Sequence, residues 1–178
     1  MIRLELPHTR YKQTYLEAVK EFIEKGSDNE STDHYFRKSL DELDKFFEDF
    51  VQEKIDSHNG KVRQDGHVPA TQFWIIDDNE EYCGRISLRH FLNDALEHHG
   101  GHIGYDIRPS KRGQSYASIA LGLCLNEAMK IGLEKVLITC DDDNTPSIKS
   151  IERNNGVLQD KVKQDSGILT RRYWIDLK

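Results

Sequence analysis

The chain has 178 residues, of which 37% are hydrophobic and 31% charged, and its net charge is −6. A chain of this length suits one domain with a core of useful size. It has no apolar run of the roughly 18 residues that would span a membrane, and its acidic balance argues against nucleic acid as a partner while remaining compatible with a cationic or amine one.

Met1 to Leu6 alternates Ile2, Leu4 and Leu6, an edge-like strand ended by Pro7. It lacks the long apolar region of a signal peptide, so a cytoplasmic protein is expected. Thr9 can cap a helix with Tyr11, Tyr15, Val19, Phe22 and Ile23 on one face, stopped at Gly26-Ser27-Asp28-Asn29. Ser31 to Asp33 offers caps for a second, longer helix. Its apolar stripe is Phe36, Leu40, Leu43, Phe47, Phe50 and Val51, and its other face is acidic and solvated.

Asp56 to Ala70 reads as a loop. Gln72 to Ile76 and Tyr82 to Leu88 are strands joined by Asp77-Asp78-Asn79-Glu80. Arg89 to Gly101 is irregular and rich in histidine. His98, His99 and His102 could be imagined around a metal, but adjacent histidines in a Gly-rich loop rarely converge on one ion, and no metal is expected. Cys83, Cys124 and Cys140 are odd in number and far apart in apolar contexts, so they read as reduced core residues.

Gly101 to Ala117, GHIGYDIRPSKRGQSYA, begins as a strand, turns at Arg108-Pro109-Ser110 and crosses a short basic loop. It then enters a helix striped by Ala117, Ala120, Leu121, Cys124, Leu125 and Ala128, with Ile119, Leu123 and Met129 elsewhere around it, which suits burial between layers. A loop whose N–H groups open a helix favours phosphate. After Gly132, Val136 to Cys140 is apolar throughout, as in a central parallel strand. Thr145 as cap and Pro146 at the first helical position start another helix, stopped by Asn154-Asn155-Gly156. Val157 to Val162 and Ile168 to Leu177 form a closing hairpin.

The loop matches neither phosphate motif of the common nucleotide-binding folds. A P-loop needs Lys then Ser or Thr after its second Gly, and the dinucleotide fingerprint needs three glycines after the strand. Arg112-Gly113-Gln114-Ser115-Tyr116-Ala117 instead resembles the acetyl-CoA pyrophosphate loop of the GNAT N-acetyltransferase superfamily, Arg/Gln-x-x-Gly-x-Gly/Ala, with Ser115 where the family usually has Gly. Ile107-Arg108-Pro109, Val136 to Cys140, and Asn144-x-x-Ser147 followed by Ile151 to Gly156 resemble the family's flanking strands and helix. The resemblance runs from about Trp74 to Leu177.

The resemblance implies a single domain over residues 1–178. Its fold would be α/β, with a mixed, mostly antiparallel central sheet of about seven strands flanked by about four helices. It implies an N-acetyltransferase that moves the acetyl group of acetyl-CoA to a primary amine of a small molecule or protein by direct attack. The implied cofactor-binding set is Ile107, Arg108, Arg112, Gly113, Gln114, Ser115, Tyr116, Ala117, Asn144 and Ser147. The family often forms dimers through its later strands, which leaves a homodimer open without settling the oligomeric state, and no nucleic-acid or membrane partner is expected.

The backbone N–H of Ile107 would polarise the thioester carbonyl. The carboxylate that some members carry near the start of this strand falls on Gly101, and the Tyr that many use as general acid falls on Ile151. Nearby alternatives to the carboxylate are His102, His99 and Glu97, and Tyr105 could serve for the acid; Tyr105 and His102 are the catalytic candidates. The double absence supports a second reading: a CoA-binding module with the fold but little catalysis.

Overall fold

A computed structural model describes residues 1–25, 39–61, 67–164 and 166–177. The proposed stop at Gly26–Asn29, the caps at Ser31–Asp33 and Phe36 lie outside these residues. β1 (Ile2–Glu5), β2 (Ala70–Asp77), β3 (Tyr82–Arg89) and β4 (Ile103–Ile107) form one sheet in that order. β5 (Lys135–Asp141), β6 (Val157–Lys163) and β7 (Leu169–Asp176) form a second, in the order β5-β7-β6. All the ladders are antiparallel.

This corrects the single sheet of about seven strands. The strand number is right, but β4 and β5 share no ladder. They touch where β4 starts: Gly101 bridges Ile138, and the His102 N–H donates to Leu137 O at 2.7 Å. The expected parallel strand is likewise corrected, because β5 draws its ladder from antiparallel β7. Its apolar run reflects burial between layers, which is independent of strand direction.

Six α-helices occur among the described residues, not about four. α1 (Lys12–Lys25) follows a 3-10 turn at Thr9–Tyr11, whose cap is His8 rather than Thr9. The expected long second helix is two, α2 (Leu40–Lys45) and α3 (Phe47–His58), broken at Phe46 (φ −109°, ψ 26°). Ser39 and Glu42 form a reciprocal capping box that starts α2. The break turns Phe46 outward while Leu43, Phe47 and Phe50 stay buried. The supposedly irregular stretch contains α4 (Asp94–His98), nucleated by Asn93 Oδ1 accepting from Leu96 N–H at 3.0 Å. Such a short helix leaves no readable periodicity.

α5 (Tyr116–Lys130) buries Ala120, Leu121, Cys124 and Ala128 but exposes Ile119 and Met129 by nearly half. It covers one face of the sheet rather than being enclosed, as expected from its all-round apolar sequence. α6 (Thr145–Arg153) is capped by Asn144, not Thr145, with Pro146 in its first turn. Two cores result. One lies under α5 and α6 and draws on both sheets, and the other lies under α1–α3. In the second, Trp74 stacks on Tyr15 at 4.9 Å and meets Tyr82 edge-on at 5.4 Å. Ile23, assigned to the buried face of α1, is exposed.

Candidate active site

β4 borders the parting of the two sheets, and its register sets what it presents there. Gly84 pairs with Ile107, and Arg108 N–H donates to Cys83 O at 2.8 Å. At the other end Leu88 pairs with Ile103, and Arg89 N–H donates to His102 O at 2.8 Å. In an antiparallel ladder these are the non-hydrogen-bonded pairs, which alternate with bonded ones. Gly104 and Asp106 therefore bond to β3, while the N–H groups of Tyr105 and Ile107 face away from it, toward β5. The missing β4–β5 ladder leaves that edge open.

β4 leads directly into the loop. Pro109–Lys111 is a 3-10 turn, and Gly113 (φ 78°) and Ser115 (φ 61°, ψ 12°) are left-handed. Ser115 is the helix N-cap, yet its side chain makes no capping hydrogen bond. The departure from Gly thus sits at a conformation that a Cβ disfavours. The first N–H bonded back along α5 is that of Ile119, to Ser115 O at 3.1 Å. Those of Tyr116, Ala117 and Ser118 open outward, an arrangement suited to an anion. Gln114 is exposed beside them.

The loop's basic residues divide. Arg108 is buried, with Nε on Glu21 Oε1 at 2.8 Å and Nη1 on Thr14 Oγ1 at 3.3 Å, so its guanidinium faces α1. Glu21 also accepts from Ser110 N–H and Oγ, both at 3.0 Å. Burial pushes the Glu21 carboxyl up, but these bonds outweigh it and hold the group below the usual carboxylate range. Lys111 Nζ reaches Asp77 Oδ2 at 2.8 Å and also Glu81. Arg112 is exposed and steadied by its Nε bond to Ile107 O at 3.1 Å. Sequence reasoning missed Glu21: its link to Ser110 spans 89 positions, and no local pattern marks it.

Across the opening, Asn144 Oδ1 accepts from Ser147 N–H at 3.1 Å, while its Nδ2 makes no hydrogen bond among the described residues. The Tyr105 hydroxyl lies 2.8 Å from Ser147 Oγ, and burial pushes the phenol up to about 12. His102 is set apart. Its Nδ1 accepts from Leu137 N–H at 2.9 Å, its ring meets Trp174, and burial pushes it down to about 4. Imidazole is neutral there at pH 7, and its proton belongs on Nε2. It borders a surface cavity of about 310 Å³ with Phe91, Leu92, Glu97 and Trp174, at the start of β4 rather than at its loop end.

The two positions that lack the resembled acid and base have physical reasons. Gly101 has φ +61°, and an added Cβ would stand 2.3 Å from Leu137 O, so no side chain fits. Ile151 is fully buried in the core under α6, where a phenol would need a partner. Among the described residues, no group of three or more His, Cys, Asp or Glu is arranged to hold a metal ion. None of their helices is long and apolar enough to cross a membrane. The three cysteines are buried free thiols, all pushed up by burial.

A family model described as an acetyltransferase (GNAT) domain matches residues 11–156. The chain belongs to the GNAT acetyltransferase family. Solved structures extend the likeness over nearly the whole chain. A RimL ribosomal L7/L12 alpha-N-protein acetyltransferase in complex with coenzyme A is 20% identical with a TM-score of 0.72, covering 98% of this chain and 93% of that one. The microcin C7 self-immunity acetyltransferase MccE, in complex with acetyl-CoA and AMP, is 17% identical with a TM-score of 0.72, covering 98% and 92%. A chimera of the Vibrio cholerae spermidine N-acetyltransferase SpeG and hSSAT is 14% identical with a TM-score of 0.65, covering 99% and 95%. At these identities the likeness carries the fold and not the acceptor. No curated protein sequence matches.

Proposed function

We propose that this GNAT chain is one catalytic domain that transfers the acetyl group of acetyl-CoA to a primary amine by direct attack. The diphosphate would sit on the N–H groups of Gly113 to Ala117 at the start of α5, with Arg112 adding charge. The pantetheine arm would lie along Arg108 and Ile107 at the free edge of β4, bringing its thioester to the Ile107 N–H, and Asn144 Nδ2 and Ser147 would meet it from the start of α6. Arg108 contributes its backbone and holds the loop, since its guanidinium is engaged by Glu21. The carrying observation is the unladdered β4 edge that leads straight into an anion-suited helix start.

In the reaction, the amine lone pair forms the C–N bond at the thioester carbonyl, and the π pair moves to oxygen, where Ile107 N–H stabilises it. Collapse breaks the C–S bond and expels the thiolate, which takes a proton that the ammonium nitrogen gives up. A phenol near 12 is a weaker acid than a thiol of ordinary value about 8.5, so Tyr105 serves as hydrogen-bond donor and relay rather than as net proton source. His102, with Nδ1 committed, positions the start of β4. Calorimetry should show acetyl-CoA binding in preference to ATP, and a thiol-release assay should show turnover with a primary amine. Binding without turnover would favour the CoA-binding module, supported by the absence of side chains at Gly101 and of a phenol at Ile151. The exposed Val157 and Leu158 on edge strand β6 support a homodimer, which sedimentation would test.

A further inference from the structure

Gly104 stands in the middle of β4 with no conformational or steric reason to be glycine. Its φ is not left-handed, and among the described residues nothing lies within 4 Å of a Cβ built on it. Two other glycines beside this sheet differ sharply. A Cβ at Gly84 would meet Asp106 O at 2.2 Å, and one at Gly101 would meet Leu137 O at 2.3 Å. Glycine weakens a strand interior, and where no fold constraint demands it, it marks the close approach of something else.

The position is exposed although its neighbours Ile103 and Tyr105 are buried and half-buried. Strand alternation puts it on the opposite face from Tyr105, the face that α1–α3 cover elsewhere. Gln72, Ser87 and Gly104 pair in one row across β2, β3 and β4. Gln72 is 7% exposed, and its Nε2 has no hydrogen-bond partner among the described residues. In the next row Asp106 takes Arg85 Nε and Nη2 on one oxygen, Oδ2, at 3.0 and 2.7 Å. Gly104's own N–H and C=O are committed to Ser87 by the register. A ligand lying on it therefore meets bare, flat backbone whose N–H and C=O are already engaged, which suits methylene groups, with Gln72 Nε2 the polar atom left unpaired among the described residues in the same row. Asp106 Oδ1, two residues along on the same face, is left to accept a hydrogen bond from the amine, the charge of the carboxylate being already matched by Arg85.

We propose that Gly104 is the specificity-determining gap of the acceptor site: the unbranched methylene stem of a primary amine lies across it, carrying the nitrogen past Asp106 to the β4 edge at Ile107. This rests on the acetyl-transfer reading and adds the acceptor class, an aminoalkyl group rather than an amine on a branched carbon. The acceptor and the pantetheine arm then reach β4 from different sides.

The test uses full-length wild type and Gly104→Val, with acetyl-CoA and either n-octylamine, whose chain spans the roughly 10 Å of strand from Ile107 to Gly104, or a peptide with a free N-terminal serine. Wild type should acetylate octylamine with the higher kcat/KM. Gly104→Val should lose at least tenfold in kcat/KM for octylamine, keep its acetyl-CoA affinity within about twofold by calorimetry, and melt no lower than wild type. If valine lowers the melting temperature, Gly104→Ala, which adds one methyl group, should still lose several-fold. Undiminished octylamine turnover in the variants overturns the inference, as does a wild type that binds acetyl-CoA but prefers the peptide or uses neither acceptor. Absence of acetyl-CoA binding by wild type removes instead the reading beneath it.

Discussion

Tyr105 of β4 and Ser147 of α6 touch oxygen to oxygen at 2.8 Å, a contact between the last strand of one sheet and the helix that follows the first strand of the other. With the phenol pushed up to about 12, it stays protonated throughout the neutral range. Tyr105→Phe keeps the ring and removes the donor. Its kcat should fall about 100-fold, the lower end of the range for positioned proton-transfer groups, with acetyl-CoA affinity little changed. Steady-state kinetics alongside calorimetry check this, and an unaltered kcat would remove Tyr105 from the chemistry.

Ser115 holds a left-handed conformation without a compensating capping bond. Ser115→Gly should stabilise the fold by about 1 kcal/mol, raising the melting temperature by roughly 2–4 °C for a chain of this size. It also clears the Cβ from the helix start, so acetyl-CoA binding should tighten. Differential scanning calorimetry and titration read the two effects separately. A lower melting temperature would show that the serine is favourable where it stands.

Glu21 ties α1 to the loop through Arg108 and Ser110. Glu21→Ala leaves a buried guanidinium without its principal carboxylate, a loss on the order of 3 kcal/mol. Because the carboxyl is held below its ordinary value, this stabilisation is full above about pH 4.5 and is lost as the pH falls through the lowered folded value. Acetyl-CoA affinity should drop in the variant at neutral pH although Glu21 meets the proposed ligand set only at the Arg108 guanidinium and is itself no part of it. Equal affinity in the two proteins would mean that the loop keeps its shape unaided.

His102 titrates in a different window. Its folded value lies near 4 against an ordinary 6.5, so the unfolded chain takes the proton first. Stability is therefore full above pH 6.5 and declines as the pH falls toward 4, by up to roughly 3 kcal/mol. His102→Asn can still accept from Leu137 N–H through its amide oxygen. Urea unfolding between pH 7 and 4.5 should show a steeper decline for wild type than for this variant. Matching slopes would assign the acid sensitivity elsewhere.

Much of the site's framework could be read locally. The loop Arg112–Ala117, the apolar stripe of α5 and the cap-and-proline start of α6 are patterns within about 20 residues, and short-range chemistry writes them directly into sequence. The break at Phe46, five-residue α4 and the shift of the cap from Thr145 to Asn144 were not legible, because each depends on which of several competent local groups the packed chain selects.

By itself, the sequence determined the family, the number and order of strands and the place of the anion-suited turn, since these follow from periodicity, turn residues and one motif. Tertiary structure alone decided that β4 and β5 part into two sheets, that Arg108 turns to Glu21 rather than outward, and that His102 sits away from Tyr105. The reason is physical. Ladder ends, ion-pair partners and side-chain burial arise between residues tens of positions apart, and they are settled by competition for space and hydrogen bonds in the assembled core.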